Sequence, residues 1–130
     1  MNTFHLSITT PDGLFFDGEA ESLRFRATTG EMTILAHHMD FVAAIGMGPA
    51  TVTTGGVKRR AACIGGMVAV TGGEVHLIAT TFEWAENIDR ERAKIALQRA
   101  EENLKDPSLT KEEQRMEEAA RRRALVRLNV

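Results

Sequence analysis

Glycine and aromatic residues are confined to the N-terminal part of this chain. All 11 glycines lie at or before Gly73, and every aromatic residue lies at or before Trp84. The segment that follows is rich in alanine, arginine and glutamate, which are strong helix formers. Glycine permits the positive φ angles of tight turns but weakens helix interiors. The distribution therefore predicts an α+β chain, with strands and turns over residues 1–84 and helices over residues 85–130.

Short alternating segments predict the strands of the first part. Residues 4–8 and 23–27 alternate between apolar and polar side chains, which is the period of a half-buried strand. The glycine pairs at residues 55–56 and 72–73 are signals for two-residue hairpin turns. A third pair, at residues 65–66, predicts a bulge or a close approach of backbone. Because no helical pattern separates the strands, the sequence predicts an antiparallel β-sandwich or flattened barrel.

Two short helices are predicted after the period changes at Asn87. Asn87 or Asp89 can cap the first helix, and Thr110 with Glu113 forms a capping box at the start of the second. The predicted apolar faces contain Ala93, Ala96, Leu97, Ala100 and Leu104 in the first helix, and Met116, Ala119, Ala120, Ala124 and Leu128 in the second. The break between them is short, which predicts an antiparallel hairpin. Alanine buries little area, so the hairpin is expected to dock weakly. A mobile element and an ordinary fixed hairpin both remain open.

Charge and cysteine content exclude several classes of protein. Residues 1–84 carry five Lys/Arg against eight Asp/Glu, and residues 85–130 carry eleven against ten. Neither part is basic enough to predict a nucleic-acid groove. The single cysteine, Cys63, cannot form an internal disulfide, and its apolar neighbours predict a small core residue. The longest uncharged run, residues 41–57, is interrupted by glycines and Pro49, so it does not predict a membrane span.

No catalytic or metal site is predicted from the residues. The chain lacks a phosphate-binding G-x-x-x-x-G-K-[ST] loop and a G-x-S-x-G elbow. His37 and His38 are adjacent, and adjacent residues of a strand point to opposite faces, so a shared metal ion is not expected. Glu117 and Glu118 are expected to pair with Arg121 and Arg122 on the helix surface.

Arginines near the helix termini are the remaining features of interest. Asp89 and Arg92 begin the first helix, where they form a cap with a solvated partner or part of a binding motif. Arg123 and Arg127 share a stripe near the apolar seam of the second helix. From there they can meet the first helix or bind an anion between the helices.

Three segments resemble the epsilon subunit of rotary F-type ATP synthases. Residues 30–38, GEMTILAHH, are similar to that family's G-x-x-x-[IV]-L-P-x-H loop. Residues 64–68 resemble its G-G turn, and residues 85–104 with residues 123–128 resemble its helical hairpin. The resemblance spans residues 1–130, and it is carried by the order and spacing of these segments together.

The resemblance implies a ten-stranded sandwich followed by two helices. It implies a non-catalytic central-stalk subunit that binds the gamma subunit, sits on the c-ring and transmits rotation to the catalytic head. The hairpin would fold against the sandwich or extend toward the alpha and beta catalytic subunits, where it obstructs ATP hydrolysis. Such a subunit binds no nucleic acid and associates with the membrane only through the complex, on the cytoplasmic face of the bacterial plasma membrane.

Site residues follow from the same resemblance, matched position by position. Glu31 and His38 would contact the c-ring. No cofactor is required, but ATP is a possible regulatory ligand, and the residues matched to its site are Ile88, Asp89, Arg92, Ala93, Arg99, Arg123 and Arg127. The second-helix cations Arg121, Arg122 and Arg123 would meet the beta subunit.

One loop departs from the family pattern, and one rival function remains. Ala36 and Asp40 stand where the family usually has prolines, and Thr33 replaces a frequent small residue, so this loop is expected to be less rigid. The rival function is a free-standing binding module that uses the arginine-bearing hairpin on polyanions. Glu117 and Glu118, interleaved with those arginines, argue against it.

Overall fold

Strands occupy the N-terminal part of the chain and helices the C-terminal part, in a computed structural model that describes residues 2–130. A short 3-10 helix, Ala85–Asn87, joins the two parts. The strands are β1 (Phe4–Thr10), β2 (Gly13–Ala20), β3 (Ser22–Ala27), β4 (Gly30–Leu35), β5 (Phe41–Ala44), β6 (Met47–Thr54), β7 (Val57–Thr71) and β8 (Glu74–Trp84), and the helices are α1 (Arg90–Leu104) and α2 (Lys111–Leu128). The predicted β-sandwich followed by a helical hairpin is confirmed.

The strands are hydrogen-bonded in the order β2-β1-β8-β7-β6-β3-β4, with β5 paired to β7. The long β7 belongs to both layers of the sandwich, because residues 57–64 pair with β6 and residues 67–70 pair with β5. Eight strands are therefore present in the described chain, where the resemblance implied ten shorter ones.

One strand pair differs from the antiparallel prediction. β1 runs parallel to β8, with His5 opposite Glu74 and Thr9 opposite Ile78. Parallel neighbours cannot be joined by a tight hairpin turn, and here the connection between them is the rest of the sandwich. Side-chain alternation encodes which face is buried but not the direction of a distant partner, so this parallel pair could not be predicted from the alternation.

The main core lies between the two layers. Leu6, Phe25 and Leu77 are fully buried there, and Cys63 lies among them as predicted. Burial raises the pKa of the Cys63 thiol to about 12. The glycine pair in β7 marks a close approach of backbone, because a Cβ on Gly66 would lie 2.0 Å from the carbonyl oxygen of Ile78.

Both helices begin at caps that the sequence predicted. Asp89 caps α1 by accepting a hydrogen bond from the main-chain N–H of Arg92 at 3.1 Å. Thr110 accepts from the N–H of Glu113 at 3.1 Å, and the Glu113 carboxylate accepts from the N–H of Thr110 at 3.2 Å. These bonds satisfy main-chain donors that a helix N-terminus leaves free. Each helix therefore starts at a cap formed by side chains within its own first turn.

The alanine seam joins the helices only in part. Ala93, Ala100 and Ala124 are buried, whereas Met116 is 66% exposed and Ala96 is exposed. The predicted ion pairs from Glu117 to Arg121 and from Glu118 to Arg122 do not appear among residues 2–130. Glu117 instead accepts a hydrogen bond from Asn103 of the facing helix at 3.2 Å.

The hairpin packs on the outer face of the layer that contains β6 and β7. Ala62 and Ile64 alternate with the core residues Ala61 and Cys63, so they point away from the main core, yet they are buried. Ile64 lies opposite Met47, and Met47 shares a cavity of about 310 Å³ with Leu125 and Val126 of α2. The hairpin therefore covers an apolar part of this face and borders an open groove there.

Candidate functional site

A cavity of about 670 Å³ lies between the hairpin and the sandwich. Five of the seven residues matched to a nucleotide site line it: Asp89, Arg92 and Ala93 from the start of α1, and Arg123 and Arg127 from α2. The remaining lining residues are Thr10, Asp12, Phe15, Thr81, Phe82, Glu83, Trp84, Asn87, Ala96 and Ala120. Its volume falls within the range of small-molecule sites, roughly 300–1,000 Å³.

The other two predicted residues lie elsewhere. Ile88 is buried and does not line the cavity, so its place is in the packing beneath the start of α1. Arg99 is exposed on α1, two turns beyond Arg92, and is also absent from the lining. The docked arrangement therefore brings together five of the seven predicted residues.

Glu83 is a cavity residue that sequence reasoning missed. It accepts a hydrogen bond from Nε of Arg127 at 2.6 Å, and both side chains are half-buried. This ion pair is a direct link between α2 and the sandwich. The alternation in β8 could have predicted its position, because Phe82 and Trp84 point into the core and leave Glu83 on the outer face.

The arginine side chains that line the cavity can bind an anion, although acidic side chains in the lining balance their positive charge. Arg92 and Arg123 make no salt bridge with any carboxylate among residues 2–130. Asp89, Arg92 and Ala93 place the first turn of α1 at this cavity, and a helix N-terminus favours negative charge. One Asp89 oxygen is already used by its cap. An anion bound here would meet two free guanidinium groups and would compete with Glu83 for Arg127.

The junction beside this cavity is tied by Arg59 of β7. Its guanidinium carbon lies 3.8 Å from the centroid of a Trp84 ring, a cation–π contact. The same side chain donates from Nε to the Glu86 carboxylate at 2.8 Å. A hydrogen bond from the main chain of Glu86 itself, followed by the one from Arg59, lowers the pKa of the Glu86 carboxyl.

The predicted ring-contact residues lie on β4 and in the loop after it. Arg24 donates from Nε to the Glu31 carboxylate at 3.0 Å across the β3–β4 pair. His38 bonds through Nδ1 with the Met39 carbonyl at 2.9 Å, and its ring centroid lies 4.8 Å from that of Phe41. Both side chains are therefore held by neighbours rather than free in solvent.

The loop without the family's prolines is tied to the rest of the fold by Asp40. Its carboxylate accepts a hydrogen bond from the main-chain N–H of Gly72 at 3.0 Å, in the β7–β8 turn. His37 adopts a φ of 66°, which is uncommon for a residue other than glycine. Proline would have fixed φ locally, whereas this chain uses a contact between two turns.

The three consecutive arginines of α2 point in different directions. Arg123 lines the cavity described above, whereas Arg122 lines the space beside Met47 under the other side of α2. Arg121 is half-buried. Successive residues of a helix are separated by about 100°. The docked hairpin therefore does not present Arg121, Arg122 and Arg123 as one basic surface.

The outer face of the other layer carries exposed apolar side chains. Leu14 lies opposite Thr9, Thr9 opposite Ile78, Ile78 opposite Met67, and Met67 opposite Ala44. This apolar row crosses five neighbouring strands, and Leu14, Met67 and Ile78 are 62%, 47% and 52% exposed. Apart from Thr9 the row is apolar, and exposed apolar side chains that lie side by side on a sheet are a candidate surface for protein association.

Within residues 2–130, no helix is both long and apolar enough to cross a membrane. In the same residues, no group of three His, Cys, Asp or Glu side chains is arranged to hold a metal ion.

Two sequence families match the chain, and together they cover nearly all of it. Residues 3–85 match the family described as "ATP synthase, Delta/Epsilon chain, beta-sandwich domain". Residues 86–130 match "ATP synthase, Delta/Epsilon chain, long alpha-helix domain". The second match begins within the short 3-10 helix that follows β8.

Two similar proteins of nearly the same length are both described as ATP synthase epsilon chains. The ATP synthase epsilon chain of Ruminiclostridium cellulolyticum is 39% identical over 129 residues, which are 99% of this chain and 96% of that protein. The ATP synthase epsilon chain of Bacillus pumilus is 38% identical over 130 residues, which are 100% of this chain and 98% of that protein.

Solved structures show the same fold. A chain of the Euglena gracilis mitochondrial ATP synthase, determined as OSCP/F1/c-ring in rotational state 1, is similar with a TM-score of 0.79 and 26% identity over 92% of this chain and 76% of that one. A chain of the Tetrahymena thermophila mitochondrial ATP synthase central stalk/c-ring, at 12% identity, shares the fold with a TM-score of 0.63 over 96% of this chain and 93% of that one. The sandwich, the capped hairpin and the sequence matches lead to one assignment: the chain belongs to the ATP synthase delta/epsilon family, as an epsilon subunit, a non-catalytic part of that complex.

Proposed function

We propose that this subunit works in the central stalk, where it couples rotation of the c-ring to ATP synthesis in the catalytic head. The solved assemblies that contain similar chains include a c-ring and a central stalk, which supports this role. The subunit would lie on the cytoplasmic face of the bacterial plasma membrane and reach it only through the complex. The single observation that carries the proposal is the exposed apolar row on the sandwich.

The apolar row is the proposed attachment surface for the gamma subunit. Its members lie on the layer opposite the hairpin, so they remain exposed whether the hairpin is docked or released. A surface of constant shape suits a permanent partner in the stalk. Glu31 and His38 are the proposed contacts with the c-ring, and the ties from Arg24 and Phe41 would fix their positions before the ring binds.

The hairpin is the proposed regulatory element. Its contacts with the sandwich are limited mainly to β6 and β7 and border an open groove, so undocking is less costly than the loss of the sandwich core. Once released, the hairpin would extend along gamma, present Arg121, Arg122 and Arg123 to the beta subunit, and obstruct ATP hydrolysis. The docked and released forms would thus correspond to active and inhibited states.

ATP is the proposed ligand of the cavity between hairpin and sandwich. Phosphate groups would bind Arg92, Arg123 and the N-terminus of α1, and they would displace Glu83 from Arg127. Because the cavity exists only while the hairpin is docked, a ligand bound there would favour the docked form.

Reassembly of the catalytic head tests the inhibitory role. ATP hydrolysis is measured with the full-length subunit and with a chain that ends at residue 87, and the shorter chain is expected to give the higher rate. Equal rates, with both chains bound to gamma, would remove inhibition from the proposal. Loss of gamma binding by Ile78→Asp, but not by Val57→Asp, would support the apolar row as the attachment surface; equal binding by both variants would contradict it.

Calorimetry tests the nucleotide. Arg123→Ala is expected to abolish or strongly weaken ATP binding, whereas Arg99→Ala is expected to retain it because Arg99 lies outside the cavity. Lys94→Ala is the matched control, since it also removes a cation, from the surface of α1. Absence of binding by the unmodified protein, with or without magnesium, would refute the ligand assignment.

A further inference from the structure

Arg90 occupies a position that is locally unfavourable for a cation. It is the first residue of α1, between the capping Asp89 and Glu91. The positive end of the helix dipole lies here, so acidic residues are favoured and basic ones disfavoured. A cation at such a position is expected to have a compensating contact elsewhere in the fold.

The compensating contact lies across the hairpin, at the end of α2. Nη1 of Arg90 donates to the carbonyl oxygens of Arg127 and Leu128 at 3.1 and 3.3 Å, and Nη2 donates to the main-chain oxygen of Val130 at 2.5 Å. The last carbonyls of a helix have no partner within it, and the negative end of the dipole favours a cation. Arg90 is thus a cap for α2 supplied by α1.

The other groups at this terminus are used separately. Asn129 bonds through its main-chain N–H to the carbonyls of Leu125 and Val126, and through its side-chain amide to Leu125. Asn129 therefore occupies carbonyls that precede those to which Arg90 donates. Arg90 alone, among residues 2–130, therefore joins the final turn of α2 to the first turn of α1 by side-chain hydrogen bonds.

Both turns joined by Arg90 line the cavity assigned above to ATP. Asp89 and Arg92, its neighbours on α1, line the cavity, and so does Arg127, whose carbonyl it binds. Arg90 itself is not among the lining residues. Its contacts thus hold the first turn of α1 against the last turn of α2 from outside the cavity.

We propose that Arg90 is a positioning residue, which locks the last turn of α2 against the first turn of α1 and thereby aims Arg127 into the cavity. The part of this inference that concerns ligand affinity rests on the proposed nucleotide site; the part that concerns Arg127 does not. A guanidinium group is required because its planar fork bonds several carbonyls at once, whereas a lysine ammonium acts as a point charge.

The test compares Arg90→Gln and Arg90→Lys with Lys94→Gln in the full chain. Lys94 is a matched control, since it is a cation on α1 whose one ion pair, with Glu91, stays on its own helix. Two readouts need no ligand: exchange of the main-chain amides of residues 127–129, and exchange of the Nε–H of Arg127. A third is the Kd for ATP by calorimetry.

Arg90→Gln is expected to accelerate both exchange rates and to raise the Kd roughly tenfold, which corresponds to about 1.4 kcal/mol. Arg90→Lys should fall between Arg90→Gln and the unmodified protein, and Lys94→Gln should match the unmodified protein. Unchanged exchange at residues 127–129 in Arg90→Gln would overturn the lock. Faster exchange there with an unchanged Arg127 Nε–H rate would overturn the positioning role. If the unmodified protein binds no ATP, the ligand proposal fails while the two exchange measurements still decide the role of Arg90.

Discussion

Replacement of Ile64 by alanine should release the hairpin without unfolding the sandwich. Ile64 is 5% exposed and lies on the outer face of β7, beside the α2 interface and outside the main core. The change removes three carbons, and at ~0.8 kcal/mol for each buried methylene it weakens docking by about 2.4 kcal/mol. This corresponds to roughly a fiftyfold rise in the ratio of released to docked hairpin, since 1.4 kcal/mol is a factor of ten.

Energy transfer between two dyes measures this ratio. The dyes are placed on cysteines at Thr29, in the β3–β4 turn, and Ser108, in the loop between the helices, both of which are exposed. Cys63 need not be removed, because its thiol is buried. Val57→Ala is the matched control, an aliphatic residue of the same strand that is 67% exposed, and it should leave the distance distribution unchanged. An unchanged distribution in Ile64→Ala, with a loss of global stability as large as that of a core substitution, would refute the assignment of Ile64 to the hairpin interface.

Three further changes test separate parts of the fold. Gly66→Ala should prevent stable folding, because the new Cβ would lie 2.0 Å from the Ile78 carbonyl oxygen at a φ of +116°; a urea unfolding midpoint like that of the unmodified protein would contradict this close approach. Cys63, with its pKa raised to about 12, should not react with a thiol reagent at pH 8 until the protein unfolds, and rapid reaction under native conditions would show that the burial is wrong. Thr110→Ala should destabilise the start of α2 by roughly 0.5–2 kcal/mol through loss of its cap, seen as faster amide exchange at residues 111–114; exchange at the original rate would show that the capping box contributes nothing.

Features set by local chemistry could be predicted from the sequence. Asp89 and Thr110 cap their helices as predicted, because a cap depends on residues within one turn. The glycine pair at residues 72–73 makes the β7–β8 turn for the same reason, since both residues adopt positive φ. The hydrophobic alternation of β1 and β3 likewise fixed which of their side chains face the core.

Features that depend on partners distant in the chain could not be predicted from the sequence. The parallel pairing of β1 with β8 joins the first and last strands of the chain, and no local pattern specifies it. Glu83 and Arg90 are ordinary charged residues in the sequence. Glu83 gains its partner Arg127 only when the hairpin docks on the sandwich, and Arg90 gains its partners at the end of α2 only when the two helices pair. Five of the seven residues that the resemblance implied line the cavity, whereas Ile88 and Arg99 lie outside it.

We propose above that ATP bound between the hairpin and the sandwich stabilises the docked hairpin. The most direct measurement is the docked fraction from the Thr29–Ser108 dye pair as ATP is titrated into the Ile64→Ala protein, where the released form is populated enough to observe. ATP is expected to restore the docked distance, and the same titration should have no effect when Arg123→Ala is added. A docked fraction that stays constant while calorimetry shows ATP bound would contradict the claim.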